Sequence, residues 1–203
     1  MMHKKIVYIG GEVGTEKSNI ATLLSYDINA RVISKDSITS VFSEWFLSKE
    51  NPSYSKERDP LFYENILCPL EYEQLDRFTT SQLEQEGNSQ NLIVTAAFID
   101  SFSIPEWVNT QRLKAELNGH DAYFIFLINQ ESQNILNTLK ERSNLRDLWK
   151  ISNWDEYQSA LTKKINKIHS AKYAKVIYIN STQDISILRD KILEAMDKID
   201  KNL

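Results

Sequence analysis

Residues 8–24 read YIGGEVGTEKSNIATLL, and they hold three of the chain's five glycines: Gly10, Gly11 and Gly14. Before them, Lys5 to Ile9 is a short apolar run that reads as a buried strand. After them, Lys17-Ser18 opens a helix with Ile20, Leu23 and Leu24 on one face. A strand, a glycine-rich turn and Lys-Ser at a helix start form a ready anion cradle. Glycines let the backbone wrap closely, so that successive N–H groups point inward. The helix start adds its positive dipole end. Lys17 contributes a charge and Ser18 a hydroxyl. The spacing is nearly G-x-x-x-x-G-K-[ST], but Glu16 stands where a glycine belongs.

Working outward, Arg31–Ser34 (RVIS), Leu92–Phe98 (LIVTAAF), Ala122–Ile128 (AYFIFLI) and Val176–Ile179 are four more short apolar runs. They are continuously apolar, as expected of strands covered on both faces. Helical patterns separate them. One starts at Asp36 and carries Ile38, Val41, Phe42, Trp45 and Phe46. Another runs from Asp59-Pro60 to about Glu86, bent at Pro69, with Gly87 as its C-cap. Ser103 with Glu106 three residues on reads as a capping box for a helix ending near Gly119. Further helices are expected over Glu131–Glu141, from Asp155 to about His169, and over Asp184–Asp200. Five strands alternating with helices predict an α/β protein with a mainly parallel sheet.

The bulk numbers narrow the function classes. With 203 residues and 41% hydrophobic content, the chain suits one globular domain. A formal net charge of −4 argues against nonspecific nucleic-acid binding. The single cysteine, Cys68, excludes an intramolecular disulfide and multi-thiolate metal sites. No apolar run reaches the ~18 residues of a membrane span, and the start does not read as a signal peptide, so a cytoplasmic setting is expected. His3, His120 and His169 have no metal spacing and are expected at the surface. The lysines from Lys163 to Lys175 read as a solvated helix face.

The 10–18 segment resembles the Walker A motif of P-loop NTPases, and more narrowly the loops of small P-loop kinases. Gly11, Gly14, Lys17 and Ser18 match; Glu16 departs. The resemblance implies a three-layer α/β/α fold with strand order 2-3-1-4-5, ATP and Mg²⁺ as cofactors, and transfer of the γ-phosphoryl group to a small-molecule or nucleotide acceptor. It puts the nucleotide against Gly11, Glu12, Val13, Gly14, Thr15, Glu16, Lys17, Ser18 and Asn19, with Ser18 on the metal. Asp36 follows the second strand, where such kinases carry an acid that orients or deprotonates the acceptor; a helix-capping role is its plainer alternative. Polynucleotide kinases carry D-x-x-R there, and Thr39 replaces that arginine. At the third strand only Thr95 stands near the usual Walker B position, and Asp100 falls late.

The segment ERSNLRDLWKISNWDEY (141–157) is similar to the lid of bacterial AAA-type small kinases. Arg142 and Arg146, four residues apart, would clamp the migrating phosphoryl. Trp149 and Trp154 read as packing. In this scheme the whole chain is one kinase-like domain, with residues 40–85 as the acceptor-binding insert and about 141–155 as the lid. Glu16 decides how far the scheme holds. A carboxylate ~4 Å from a phosphate charge costs on the order of 4 kcal/mol at an effective dielectric of 20, nearly a thousandfold in affinity. Turned into water it costs far less. Two other readings stay open: a catalytically impaired nucleotide-binding protein, and a polynucleotide-binding regulator using the lysine-rich helix.

Overall fold

The computed structural model describes residues 4–50, 62–85, 90–128, 132–142, 148–170, 176–181 and 184–201. Its strands are β1 (Lys4–Gly11), β2 (Ala30–Ser34), β3 (Asn91–Thr95), β4 (His120–Ile128) and β5 (Val176–Asn180). All pair in parallel in the order β2-β3-β1-β4-β5. The helices are α1 (Lys17–Asp27), α2 (Lys35–Glu50), α3 (Cys68–Glu84), α4 (Pro105–Leu117), α5 (Ser132–Arg142), α6 (Leu148–Ser152), α7 (Trp154–Ser170) and α8 (Ile185–Asp200).

The strands are apolar throughout because alternate residues feed two cores. Ile6, Tyr8, Leu92, Val94, Phe124 and Phe126 face one layer, packed with Leu75 and Leu83 of α3 and Val108 and Ala115 of α4. Val7, Ile9, Ile93, Ile125 and Leu127 face the other, against Ile20 and Leu24 of α1 and Leu188, Ile192 and Met196 of α8. Each fully buried side chain of this size contributes roughly 1.5–3 kcal/mol. The predicted fold class and strand order are those observed. No helix of the described residues is long and apolar enough to cross a membrane.

Several local expectations are corrected. β3 stops at Thr95, three residues before the predicted end; Phe98 is in the left-handed region at φ 50°, which no strand can contain. Before Pro69 lies a π-helical turn, Tyr63–Leu67, closed by the Cys68 N–H donating to the Tyr63 carbonyl. Proline offers no N–H to the carbonyl four residues back, and the widened turn absorbs that gap, so α3 runs on through Pro69. The helix start at Asp59-Pro60 and the Gly87 cap lie outside the described residues.

Ser103 does not cap α4. Its hydroxyl donates to the Asp100 carbonyl at 2.7 Å inside a 3₁₀ turn (Ser101–Ser103), and Ile104 takes the N-cap position. His120 is buried, at 1% exposure, with Nδ1 2.9 Å from the Asn118 carbonyl; burial pushes its pKa down.

Candidate phosphate-binding and acceptor site

The loop after β1 sits where the carboxyl ends of the strands meet, the usual position for ligands in open α/β sheets. The Gly11 N–H donates to the Ala97 carbonyl at 3.0 Å, and the Glu12 N–H to the Leu127 carbonyl at 3.3 Å. The exits of β3 and β4 therefore grip the loop from both sides. Gly11 has φ 149°, and a Cβ there would lie 2.5 Å from the Leu127 carbonyl oxygen. No other residue fits without moving β4.

Inside the loop, the Thr15 hydroxyl donates to the Glu12 carbonyl at 2.8 Å. The Lys17 ammonium donates to the same carbonyl and lies 3.4 Å from Thr15 Oγ1. Lysine is thus folded over the cradle that its charge would share with an anion. Ser18 is exposed at the first turn of α1.

Glu16 has φ 59° and ψ 24°, with Gly14 at φ 78° two residues earlier. Left-handed residues set among right-handed ones turn successive N–H groups to one side, which is the geometry of an anion nest. The backbone that glycine would adopt freely is kept, at a cost of roughly 1–2 kcal/mol for a residue with a Cβ. The Glu16 carboxylate accepts a hydrogen bond from Asn19 Nδ2 on the exposed flank of α1. At Glu16 the loop thus takes a left-handed turn, and the carboxylate is bonded to Asn19 of α1.

Val13 projects from the loop into an apolar cluster with Ile99, Ile135 and Leu139 of α5 and Leu161 of α7. Ile151 of α6 and Trp154 and Tyr157 of α7 pack against it too, which matches the packing role expected of Trp154. Helices α5, α6 and α7 are therefore packed against the loop at Val13. The side chain of Arg142, and all of Arg146, lie outside the described residues.

Asp36 lies in the first turn of α2, one residue beyond the start of that helix, and its side chain is 52% exposed. Thr95, at the end of β3, is 4% exposed and beside Ile9 of β1 and Ser34 of β2 in register. Asp100 is turned outward, 3.1 Å from Lys164 of α7. Thr39 donates its hydroxyl to the Lys35 carbonyl at 2.8 Å and is buried.

Sequence reasoning missed the group behind Asp36. Lys35 and Glu71 form a buried ion pair between α2 and α3. Ser43 Oγ and the Tyr63 hydroxyl each donate to the Glu71 carboxylate at 2.7 Å. Burial alone would raise the Glu71 carboxyl, but the Lys35 charge and the hydrogen bonds from Lys35, Ser43 and Tyr63 outweigh it and hold the carboxyl below its usual value. The signal was present in α2: Lys35, Thr39 and Ser43 recur every four residues and are buried, while Val41, Phe42 and Trp45 are 79%, 47% and 55% exposed. The helix turns its polar stripe inward. Phe98 was missed as well; its N–H donates to the Tyr72 hydroxyl at 2.9 Å, and its ring stacks on Phe102 at 5.2 Å.

No protein-family model matches this chain, and no curated protein matches it in sequence. Its fold matches solved kinases at low sequence identity. A gluconokinase from Sinorhizobium meliloti aligns over 100% of this chain and 97% of its own, with a TM-score of 0.62 and 11% identity. A shikimate kinase from Bacteroides thetaiotaomicron aligns over 95% and 98%, with 0.58 and 13%. A deoxyadenosine kinase from M. mycoides aligns over 95% and 99%, with 0.55 and 15%. The chain has the α/β fold of the P-loop kinases.

Proposed function

We propose that this protein is a kinase that binds ATP and Mg²⁺ and transfers the γ-phosphoryl group to a hydroxyl of a small-molecule or nucleotide acceptor. One observation supports the reading: Glu16 takes the left-handed backbone that glycine adopts freely, and its carboxylate bonds Asn19 of α1. The residues present suit a nucleotide. Gly11 leaves room that a Cβ would fill, and the start of α1 supplies backbone N–H groups that have no acceptor within the helix.

In this reading residues 11–19 hold the triphosphate. Lys17 exchanges the Glu12 carbonyl for the β and γ phosphates. Ser18 holds the metal, which neutralises charge on the phosphates when bound. Asp36 takes the proton of the acceptor hydroxyl as the new O–P bond forms and ADP leaves. Arg142 and Arg146, on a lid spanning about 141–155, clamp the moving phosphoryl, and residues 40–85 receive the acceptor. The chain acts as one domain.

The test begins with thermal unfolding in millimolar Mg-ATP. A rise in Tm that Lys17→Ala abolishes is expected; no rise in the native protein sinks the reading. ADP release is then measured with gluconate, shikimate and deoxyadenosine, and afterwards with a wider set of hydroxyl compounds. Asp36→Asn is expected to cut turnover about 10²- to 10⁴-fold while the ATP-induced Tm rise persists. A rival reading rests on Thr95 standing at the end of β3 where an acid would help hold Mg²⁺. It describes a nucleotide-binding protein without transfer activity, and ATP binding with no turnover on any acceptor favours it.

A further inference from the structure

The polar stripe of α2 places a charge where the proposed chemistry needs one. The Lys35 side chain is 8% exposed and that of Glu71 is 2% exposed. The ammonium also donates to the Tyr63 hydroxyl at 3.3 Å and lies 5.4 Å from the Tyr72 ring centroid. Its reach does not end in the core. Lys35 Nζ is 3.8 Å from Oδ1 of Asp36, the exposed carboxylate at the exit of β2. A single ammonium thus spans a buried anion and the surface acid.

Stability alone does not explain that arrangement. A buried ion pair is often matched or bettered by neutral residues of the same volume, because desolvation offsets the attraction. What a buried pair gives is a charge fixed in place. Glu71 is itself held by Ser43 and Tyr63, and the Lys35 bonded to it lies beside Asp36.

We infer that Lys35 is a positioning residue of the transfer site: held by Glu71 and Tyr63, its ammonium orients the Asp36 carboxylate toward the acceptor. The inference rests on the kinase reading for the role of Asp36, but the Lys35–Asp36 link can be tested without it. The other titratable groups around this ammonium are Tyr63 on the π turn and Cys68, Glu71 and Tyr72 on α3; Asp100 and Lys164 act on Cys68 from further away. Lys35 is a cation at ion-pair distance from Asp36.

The decisive variant is Lys35→Met with Glu71→Gln, which removes both charges and strands neither. Its urea midpoint is expected near that of the native protein. The Asp36 carboxyl is followed by carbon NMR in nucleotide-free protein, assigned with Asp36→Asn. Its titration midpoint is expected to be higher in the double variant, which lacks the ammonium beside Asp36, than in the native protein or in Lys35→Arg. With Mg-ATP and the acceptor found by the turnover panel, kcat is expected to fall roughly tenfold to a hundredfold. The KM for ATP should stay unchanged, and the acid limb of the pH–rate profile should move up with the Asp36 midpoint.

An unmoved Asp36 midpoint in the double variant overturns the inference, whatever the activity. So does native kcat in a folded double variant. A moved midpoint with no turnover on any acceptor supports the Lys35–Asp36 link and fails the kinase reading instead. If the double variant does not fold, Lys35→Gln with Glu71→Gln decides: an unmoved Asp36 midpoint in that folded protein overturns the inference.

Discussion

Glu16 carries its carboxylate on the outside of the α1 start, bonded to Asn19, whereas Glu71 buries its own between two helices against Lys35. By sequence, Glu16 is the damaging one, because it interrupts a phosphate motif. Glu71 is by the same measure ordinary, one acid among several on a charged helix. The structure reverses their weights. At Glu16 the constraint falls on the backbone, and the half-buried side chain bonds Asn19 through its carboxylate. At Glu71 the backbone is regular helix, and the side chain is fixed by three neighbours. A charge therefore matters according to how much freedom its surroundings leave it, and sequence spacing reports that freedom poorly.

Removing one half of the buried pair is the strongest way to break this contrast. Lys35→Met leaves the Glu71 carboxylate buried and unpaired, and should lower unfolding stability by about 3–5 kcal/mol, read from urea melts. Glu16→Gln, which removes a charge at the start of α1, should stay within about 0.5 kcal/mol. If the two variants cost the same, the buried pair does not differ from an exposed charge and the contrast fails.

Acid should probe the buried Glu71 more gently, beside a second buried group, His120. The folded Glu71 carboxyl titrates below its ordinary value of 4.5. Its contribution is therefore fully present above 4.5 and lost as pH falls through the folded value. His120 is also depressed, by burial, from 6.5. Its contribution is present above 6.5 and lost as pH falls from there through its own folded value. Urea midpoints should decline in two stages on acidification. Glu71→Gln should remove the lower stage and His120→Gln the upper one. A single stage that neither substitution changes would show that other groups set the acid sensitivity.

These two regions also mark what could be read in advance. The doubly covered strands and the loop after β1 were legible because each is written in local terms: apolar runs, glycines, and Lys-Ser at a helix start. The strand order came only with the resemblance that this loop carries. Helix α2 was not, because its pattern of Val41, Phe42 and Trp45 suggests a buried face that in fact lies open. What turned that helix over was Glu71, twenty-eight residues beyond Ser43, a partner that periodicity cannot see. The end of β3 failed for a similar reason. LIVTAAF is apolar through Phe98, but the close approach of Ala97 to Gly11 and the bond from Phe98 to Tyr72 bend the chain out of the strand. Ser103 and Glu106 have capping-box spacing, yet the Asp100 carbonyl claims the hydroxyl first.

The smallest expected effect is the most specific. Glu16→Gly relieves a left-handed residue worth roughly 1–2 kcal/mol and adds back about 0.5–1 kcal/mol of glycine entropy. Stability should therefore rise by about 0.5–1 kcal/mol in urea melts. The same variant measures where the carboxylate acts on ATP. With the charge turned toward Asn19 and solvent screening it, the Kd for Mg-ATP should tighten by less than about tenfold. A carboxylate facing the phosphates would instead yield on the order of a thousandfold. Asn19→Ala sharpens the reading, because it removes the hydrogen bond that holds the carboxylate outside. If the outward placement depends on that bond, Asn19→Ala should weaken ATP binding in the native background and leave Glu16→Gly unaffected. Equal weakening in both backgrounds would place the effect on Asn19 itself, and the loop would owe its tolerance of Glu16 to the left-handed backbone alone.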